Sequence, residues 1–225
     1  GSVIKALEEQ KVLILESEQV YRNPVICQQK EQKEIIYTEE QRTAIQTFSR
    51  DYEQGLRKTY LLYGVTGSGK TEVYMEMIAK VLSEGRQAIV LIPEIALTYQ
   101  TVMRFYTRFG ERVSILNSRM SQGERYDQME RVKKGEVDIM IGPRSALFTP
   151  FEKLGLIVID EEHEPTYKSE QVPRFHARET AIERARMEGA SVVLGSATPS
   201  LEAFYACECG RYQICLLYTS DAADD

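Results

Sequence analysis

Cysteine is scarce in this chain, with four residues at positions 27, 207, 209 and 215. No pair has the two-residue gap, matched by a second such pair, that a tetrahedral zinc site usually needs. Ordinary reduced thiols of a cytoplasmic protein are the expected reading. The segment "CECGRYQIC" is a weak candidate for a metal or redox cluster. The Glu-x-x-His spacing of a carboxylate-bridged dimetal site does not occur twice. No apolar run approaches the roughly 18 residues that cross a bilayer, and the start lacks a charged-then-apolar export signal. The sequence is therefore expected to be soluble and intracellular, with no membrane partner. Positive charge is not in excess: 28 Lys and Arg face 34 Asp and Glu, a net charge of −6. That balance argues against nucleic-acid binding through bulk charge alone. A local patch is still possible in the middle, because residues 101–150 hold nine basic and six acidic side chains whereas 151–217 hold seven and eleven. No internal repeat is evident.

What is present is enough apolar content, 43% of 225 residues, for one full core and a partial second unit. The opening "GS" is common in cleaved expression tags, and "YTSDAADD" closes the chain as a small polar acidic tail; neither is expected to belong to the fold. Residues 3–24 read as a helical start followed by a short hairpin, too little to fold alone, and "QQKEQKE" reads as a solvated linker. The expected organisation is a remnant of a preceding domain over 1–25, a linker over 26–37, the main unit over 38–217 and the tail over 218–225.

From Thr38 the text becomes periodic. "TEEQ" places a capping Thr three residues before Gln41 and opens an amphipathic helix running to about Gly55. Apolar runs at "TYLLY", "AIVLI", "VSILN", "VDIMI", "LIVID" and "SVVLG" then alternate with helical stretches such as Lys70 to Ser83. Ser121 and Glu124 form a second capping box, closed by Gly135. Near-continuous apolar strands separated by helices predict an α/β fold, a mostly parallel sheet covered by helices on both faces. Ligands of such sheets sit at the carboxyl ends of the strands.

Two motifs carry chemistry. "GVTGSGKT", comprising Gly64, Val65, Thr66, Gly67, Ser68, Gly69, Lys70 and Thr71, lies between a strand and a helix. Its glycines let backbone N–H groups converge on phosphate, Lys70 neutralises the β/γ charge, and Thr71 offers a hydroxyl to Mg²⁺. "LIVIDEEHEP" drives four carboxylates and an imidazole out of an apolar strand. Asp160 is placed to hold Mg²⁺ and Glu161 to orient and deprotonate an attacking water. Glu162 and Glu164 read equally well as acids capping a following helix.

"GVTGSGKT", "DEEH" and, some 35 residues on, "LGSATPS" together resemble the first RecA-like lobe of superfamily 2 helicases of the DEAH type. "LIPEIALTYQ", "GPRSALFTPF", "DEEHEPTYKSEQVPRFHARETA" and "GSATPSLEAFYA" are similar to the PriA family of bacterial replication-restart helicases, from about Thr38 to Leu217. The resemblance implies an ATP- and Mg²⁺-dependent DNA helicase acting at stalled or collapsed forks. It further implies 3′ to 5′ movement, a monomer, and forked and single-stranded DNA, primosome proteins and single-stranded DNA-binding protein as partners. It makes Gln41 an adenine reader, although by itself that Gln would be a surface or capping residue. It assigns single-stranded DNA contacts to the loops holding Pro93 and Thr98 and Arg144 and Ser145. Ser196, Thr198 and His163 become coupling residues between nucleotide and DNA. The loop from Tyr167 to His176 becomes an aromatic-rich DNA sensor, with Tyr167 or Phe175 stacking on bases; core anchoring of Phe175 is the competing reading. Residues 3–25 resemble the end of a winged-helix domain. The second lobe with its arginine fingers, and a zinc-binding cysteine segment, would lie beyond Leu217, so this lobe alone is expected to bind nucleotide weakly and hydrolyse it poorly. Two other classes share some of these features: a double-stranded DNA translocase or restriction motor subunit, and a noncatalytic docking module.

Overall fold

A computed structural model of the chain describes residues 35–217. The expected remnant over 1–25, nearly all of the linker, the tail over 218–225 and Cys27 lie outside the described residues. The first helix among the described residues, α1 (Glu39–Glu53), begins where the sequence places it, with the Thr38 hydroxyl accepting from the Gln41 N–H and the Gln41 side chain accepting from the Thr38 N–H. There follow β1 (Thr59–Gly64), α2 (Lys70–Ser83), β2 (Gln87–Leu91), α3 (Tyr99–Phe109), β3 (Val113–Ile115) and α4 (Gln122–Lys133). The second half adds β4 (Ile139–Gly142), β5 (Leu154–Ile159), α5 (Ala177–Glu188), β6 (Ser191–Ser196), α6 (Leu201–Glu208) and β7 (Tyr212–Leu217). The capping box of α4 forms between Ser121 and Glu124 as expected.

All seven strands run parallel in the order β3-β4-β2-β5-β6-β1-β7. Every residue of β5 and β6 is buried, because helices cover both faces. The two-residue period of a strand divides the core between those faces. Leu62, Val90, Val158 and Val193 join Phe48, Tyr74, Ile78 and Phe105 on one side. Their neighbours Leu61, Ile89, Ile157 and Leu194 join Val132, Ala181, Ala185 and Ala203 on the other. A parallel sheet brings every strand's carboxyl end to one edge, so the segments after Gly64, Leu91, Gly142, Ile159 and Ser196 open on that edge together.

The cysteine segment resolves differently from the cluster considered above. Its last residues form β7, an edge strand paired with β1. Cys207 lies in α6, Cys209 caps that helix and Cys215 is buried in β7, where burial pushes its thiol up to about 11. Among the described residues no group of three or more His, Cys, Asp or Glu is placed to hold a metal ion.

Candidate functional site

The phosphate loop is built by two glycines in the left-handed region, Gly67 (φ 85°) and Gly69 (φ 78°), which turn the chain sharply between β1 and α2. No side chain among the described residues caps the start of α2, so its first N–H groups stay open to an anion. Ser68 Oγ is buried against Gly64, with no hydrogen-bond partner among the described residues. Lys70 is 7% exposed and donates to the Gly64 carbonyl at 2.7 Å, with the Val65 carbonyl at 3.3 Å. Thr71 follows, half-buried, in the first turn. Gln41 is both a capping partner and a brace, since its amide also donates to the Ser68 carbonyl at 2.9 Å. A methyl group at Gly69 would displace that amide, and the left-handed backbone at this position favours glycine in any case.

The acidic run sits beside this loop. Asp160 is one residue past β5, and the Tyr74 hydroxyl donates to its carboxylate at 3.0 Å. Tyr74 is four residues after Lys70, one helical turn, so α2 presents the cation and the hydroxyl on one face. Burial, and after it the charge of Glu161, hold the Asp160 carboxyl above the usual range, while the Tyr74 hydroxyl and Lys70 pull the other way. Removing the hydroxyl with Tyr74→Phe should therefore raise that pKa further. The acid limb of any Mg²⁺-dependent turnover then moves to higher pH and more Mg²⁺ is required; superimposable pH and Mg²⁺ profiles would refute this. Glu161 adopts φ 47°, a left-handed backbone that costs a non-glycine residue about 1–3 kcal/mol and tends to mark functional turns. His163 Nδ1 lies 3.7 Å from Glu161 Oε2 and 2.7 Å from Ser196 Oγ, which accepts in turn from the Thr198 N–H at 3.1 Å. Asp160, Glu161, His163, Ser196 and Thr198 thus lie together at one sheet edge, with Lys70 of the phosphate loop close enough to act on the charge of Asp160.

The profile of the DEAD/DEAH box helicase family matches residues 38–205. The chain belongs to that family. Among curated proteins this helicase lobe is 46% identical over 215 residues to "Replication restart protein PriA" of Bacillus subtilis, covering 95% of the chain and 27% of the relative. It is 44% identical over 185 residues to the protein of the same name in Chlamydia pneumoniae, covering 82% and 25%. The chain thus spans about a quarter of the length of the curated relatives it matches. Among solved structures it is similar to RecG bound to a three-way DNA junction, with a TM-score of 0.63 at 21% identity over 85% of the chain and 25% of that protein. The Hef helicase domain of Pyrococcus furiosus gives 0.58 at 17% identity over 80% and 38%. These structural likenesses show the fold, a RecA-like lobe.

In this helicase lobe two of the expected DNA contacts need correction. Tyr167 is 1% exposed, and its hydroxyl lies 2.7 Å from the Asp160 carbonyl and 3.0 Å from the Leu91 carbonyl. It is an anchor of the acid edge with no ring face open to a base. Pro93 is buried and starts a turn, its carbonyl accepting from the Ala96 and Leu97 N–H groups; the exposed residues of that loop are Glu94, Ile95, Thr98 and Tyr99. Thr98 caps α3. Ser145 is exposed, and Arg144 is not a free surface cation, since it donates to the Thr166 and Lys168 carbonyls at 2.8 and 2.7 Å. Phe175 is half-buried and packs edge-on against the exposed Phe148 at 5.2 Å. Nor does an α-helix follow the acid run directly: a 3-10 turn, Pro165–Tyr167, stands there, with Glu164 at its start. Sequence reasoning missed Tyr74, whose spacing from Lys70 was a usable signal, and the buried pair of Glu162 and Arg178.

Proposed function

We propose that this chain is the ATP-binding lobe of an ATP-dependent DNA helicase that acts at stalled or collapsed replication forks. The observation that carries the reading is the meeting of Lys70 and Asp160 at one sheet edge, where Tyr74, on the same helix as Lys70, donates to Asp160. The glycine turns and the uncapped start of α2 fit a triphosphate, and Thr71 with Asp160 fits Mg²⁺. The metal would supply charge neutralisation on the phosphate oxygens. The backbone N–H groups of Gly67, Gly69 and Lys70 and the Lys70 ammonium bind the phosphates, and the Glu161 carboxylate accepts the proton of the attacking water. Gln41 commits one N–H and one carbonyl lone pair to its brace, which leaves one of each for the N7 and N6 edge of adenine. His163, Ser196 and Thr198 form the link from Glu161 toward the DNA face.

DNA contacts on this reading come from Thr98, Ser145, Arg144 and Phe175, on the loops at the carboxyl edge. The similarity to replication restart proteins supports forked and single-stranded DNA, primosome proteins and single-stranded DNA-binding protein as partners. A second lobe would add arginine fingers, worth about 10³–10⁵ in rate in other phosphoryl-transfer systems, and zinc would belong to that further part of the protein. ATP hydrolysis by the full-length protein, measured with and without forked DNA, tests the proposal. Stimulation by the fork is expected, and DNA-independent turnover would overturn it.

A further inference from the structure

Glu162 has the most constrained side chain of the acidic run. It is 1% exposed, and its N–H donates to the Gly195 carbonyl of β6 at 2.9 Å. Its Oε1 accepts from the Ser200 N–H at 2.6 Å, and its Oε2 accepts from the Ser200 hydroxyl and from Arg178, both at 3.0 Å. Arg178, 6% exposed, donates also to the Ser200 hydroxyl, which accepts from Ala203 N–H as the cap of α6. Carboxylate, guanidinium and hydroxyl close a triangle between the acid run, α5 and α6. An ion pair this deeply buried is a poor stabiliser: desolvation costs several kcal/mol per ion, and well-packed apolar side chains often replace such pairs at no loss. Its presence asks for a use other than holding the fold.

The chain between the two charges supplies one. Lys168 and His176 pair as an antiparallel bridge, and Ser169 N–H donates to the Phe175 carbonyl at 2.8 Å, so the loop 168–176 is closed at its base. One foot of the loop leads back through the Pro165–Tyr167 turn to Glu162. The other leads to His176, which caps α5 by accepting from the Arg178 N–H at 3.3 Å. The Glu162–Arg178 pair ties the feet together. A groove of about 920 Å³ lies against the loop, lined by Lys168, Arg174 and Phe175 of the loop together with Glu162, Arg178 and Ser200 of the triangle.

We propose that the Glu162–Arg178–Ser200 triangle is a joint that passes the state of loop 168–176 to the ATP edge, and that Glu162 and Arg178 are positioning residues. Movement of the loop displaces Arg178. Glu162 follows, and with it the adjoining left-handed Glu161 and the Ser196–Ser200 turn. The inference rests on the DNA-driven ATPase reading above.

The test uses the full-length protein with Glu162→Met/Arg178→Met, which exchanges the charged pair for apolar side chains, and separately with Glu162→Gln. Thermal melting, basal turnover, affinity for single-stranded DNA and turnover at saturating DNA are measured. The double variant should melt near the wild type and keep its basal rate, while the ratio of DNA-stimulated to basal turnover falls about fivefold or more. Glu162→Gln, which keeps an acceptor for Ser200 but loses the charge, should lower the same ratio by less. A folded double variant with the wild-type ratio would show that the pair is only structural and overturn the joint. If the double variant does not fold, an unchanged ratio in Glu162→Gln overturns it equally. A wild type that DNA does not stimulate overturns the underlying reading, and the joint with it, before any variant is compared.

Discussion

Replacing Glu161 by Gln in the full-length protein is expected to lower ATP turnover by about 10²–10⁴-fold while nucleotide affinity stays within a few-fold of wild type. The substitution keeps size and shape at that position, so the fold is not disturbed. What is removed is the charge of Glu161, and with it the capacity to take a proton from water and the push that charge exerts on the Asp160 carboxyl. Because Asp160 and Lys70 are untouched, the variant should still bind ATP with Mg²⁺. Single-turnover hydrolysis alongside nucleotide titration separates the two quantities. Unchanged turnover would sink the assignment of Glu161 as the proton acceptor, and a parallel loss of affinity would move its role to binding.

The opposite pattern is expected of Lys70→Ala. Lys70 is held by the Gly64 carbonyl at 2.7 Å, so its ammonium is already aimed along the phosphate loop and little side-chain freedom remains to be lost on binding. Each hydrogen bond from a charged donor contributes about 1.5–3 kcal/mol, so one lost contact weakens ATP binding by about 10- to 100-fold. Two lost contacts would take binding beyond detection at micromolar nucleotide. Titration with a fluorescent nucleotide reads this directly, and melting controls for the freed Gly64 carbonyl. Binding that is indifferent to Lys70 would contradict a phosphate-loop site and favour a lobe used only for docking.

What the sequence shows and what it hides divide along the range of the interactions involved. The capping boxes at Thr38 and Ser121, the glycine turn before α2 and the strands β1 to β6 rest on residues within a turn or a strand of one another, and each appears where its pattern puts it. The end of β5 at Asp160 and Glu161 was legible because an apolar run that breaks into acids marks where a buried strand reaches the sheet edge. β7 escaped because its burial alternates at the sheet edge and its cysteines suggested other chemistry. Tyr167 was misread for a related reason: in a polar loop an aromatic ring looks available, but two carbonyls at the strand ends satisfy its hydroxyl and let the ring be buried. Glu162 and Arg178 meet only because β6 lies beside β5 and α5 folds back over both, a fact of topology that the fifteen residues of intervening text do not contain.

The bracing of loop 168–176 at both feet also bears on how this region can diverge. With the ends fixed by the Lys168–His176 bridge and the pair beneath it, the span between them is a cassette. Lengthening such a span is cheap, since each doubling of a loop adds only about 0.6 kcal/mol of closure entropy. Its tip, from Glu170 to Arg174, is fully exposed and carries no part of the core. Insertions and substitutions there leave the spacing of Asp160, Glu161 and α5 unchanged, so the loop can vary in length and composition while the acid edge stays as it is.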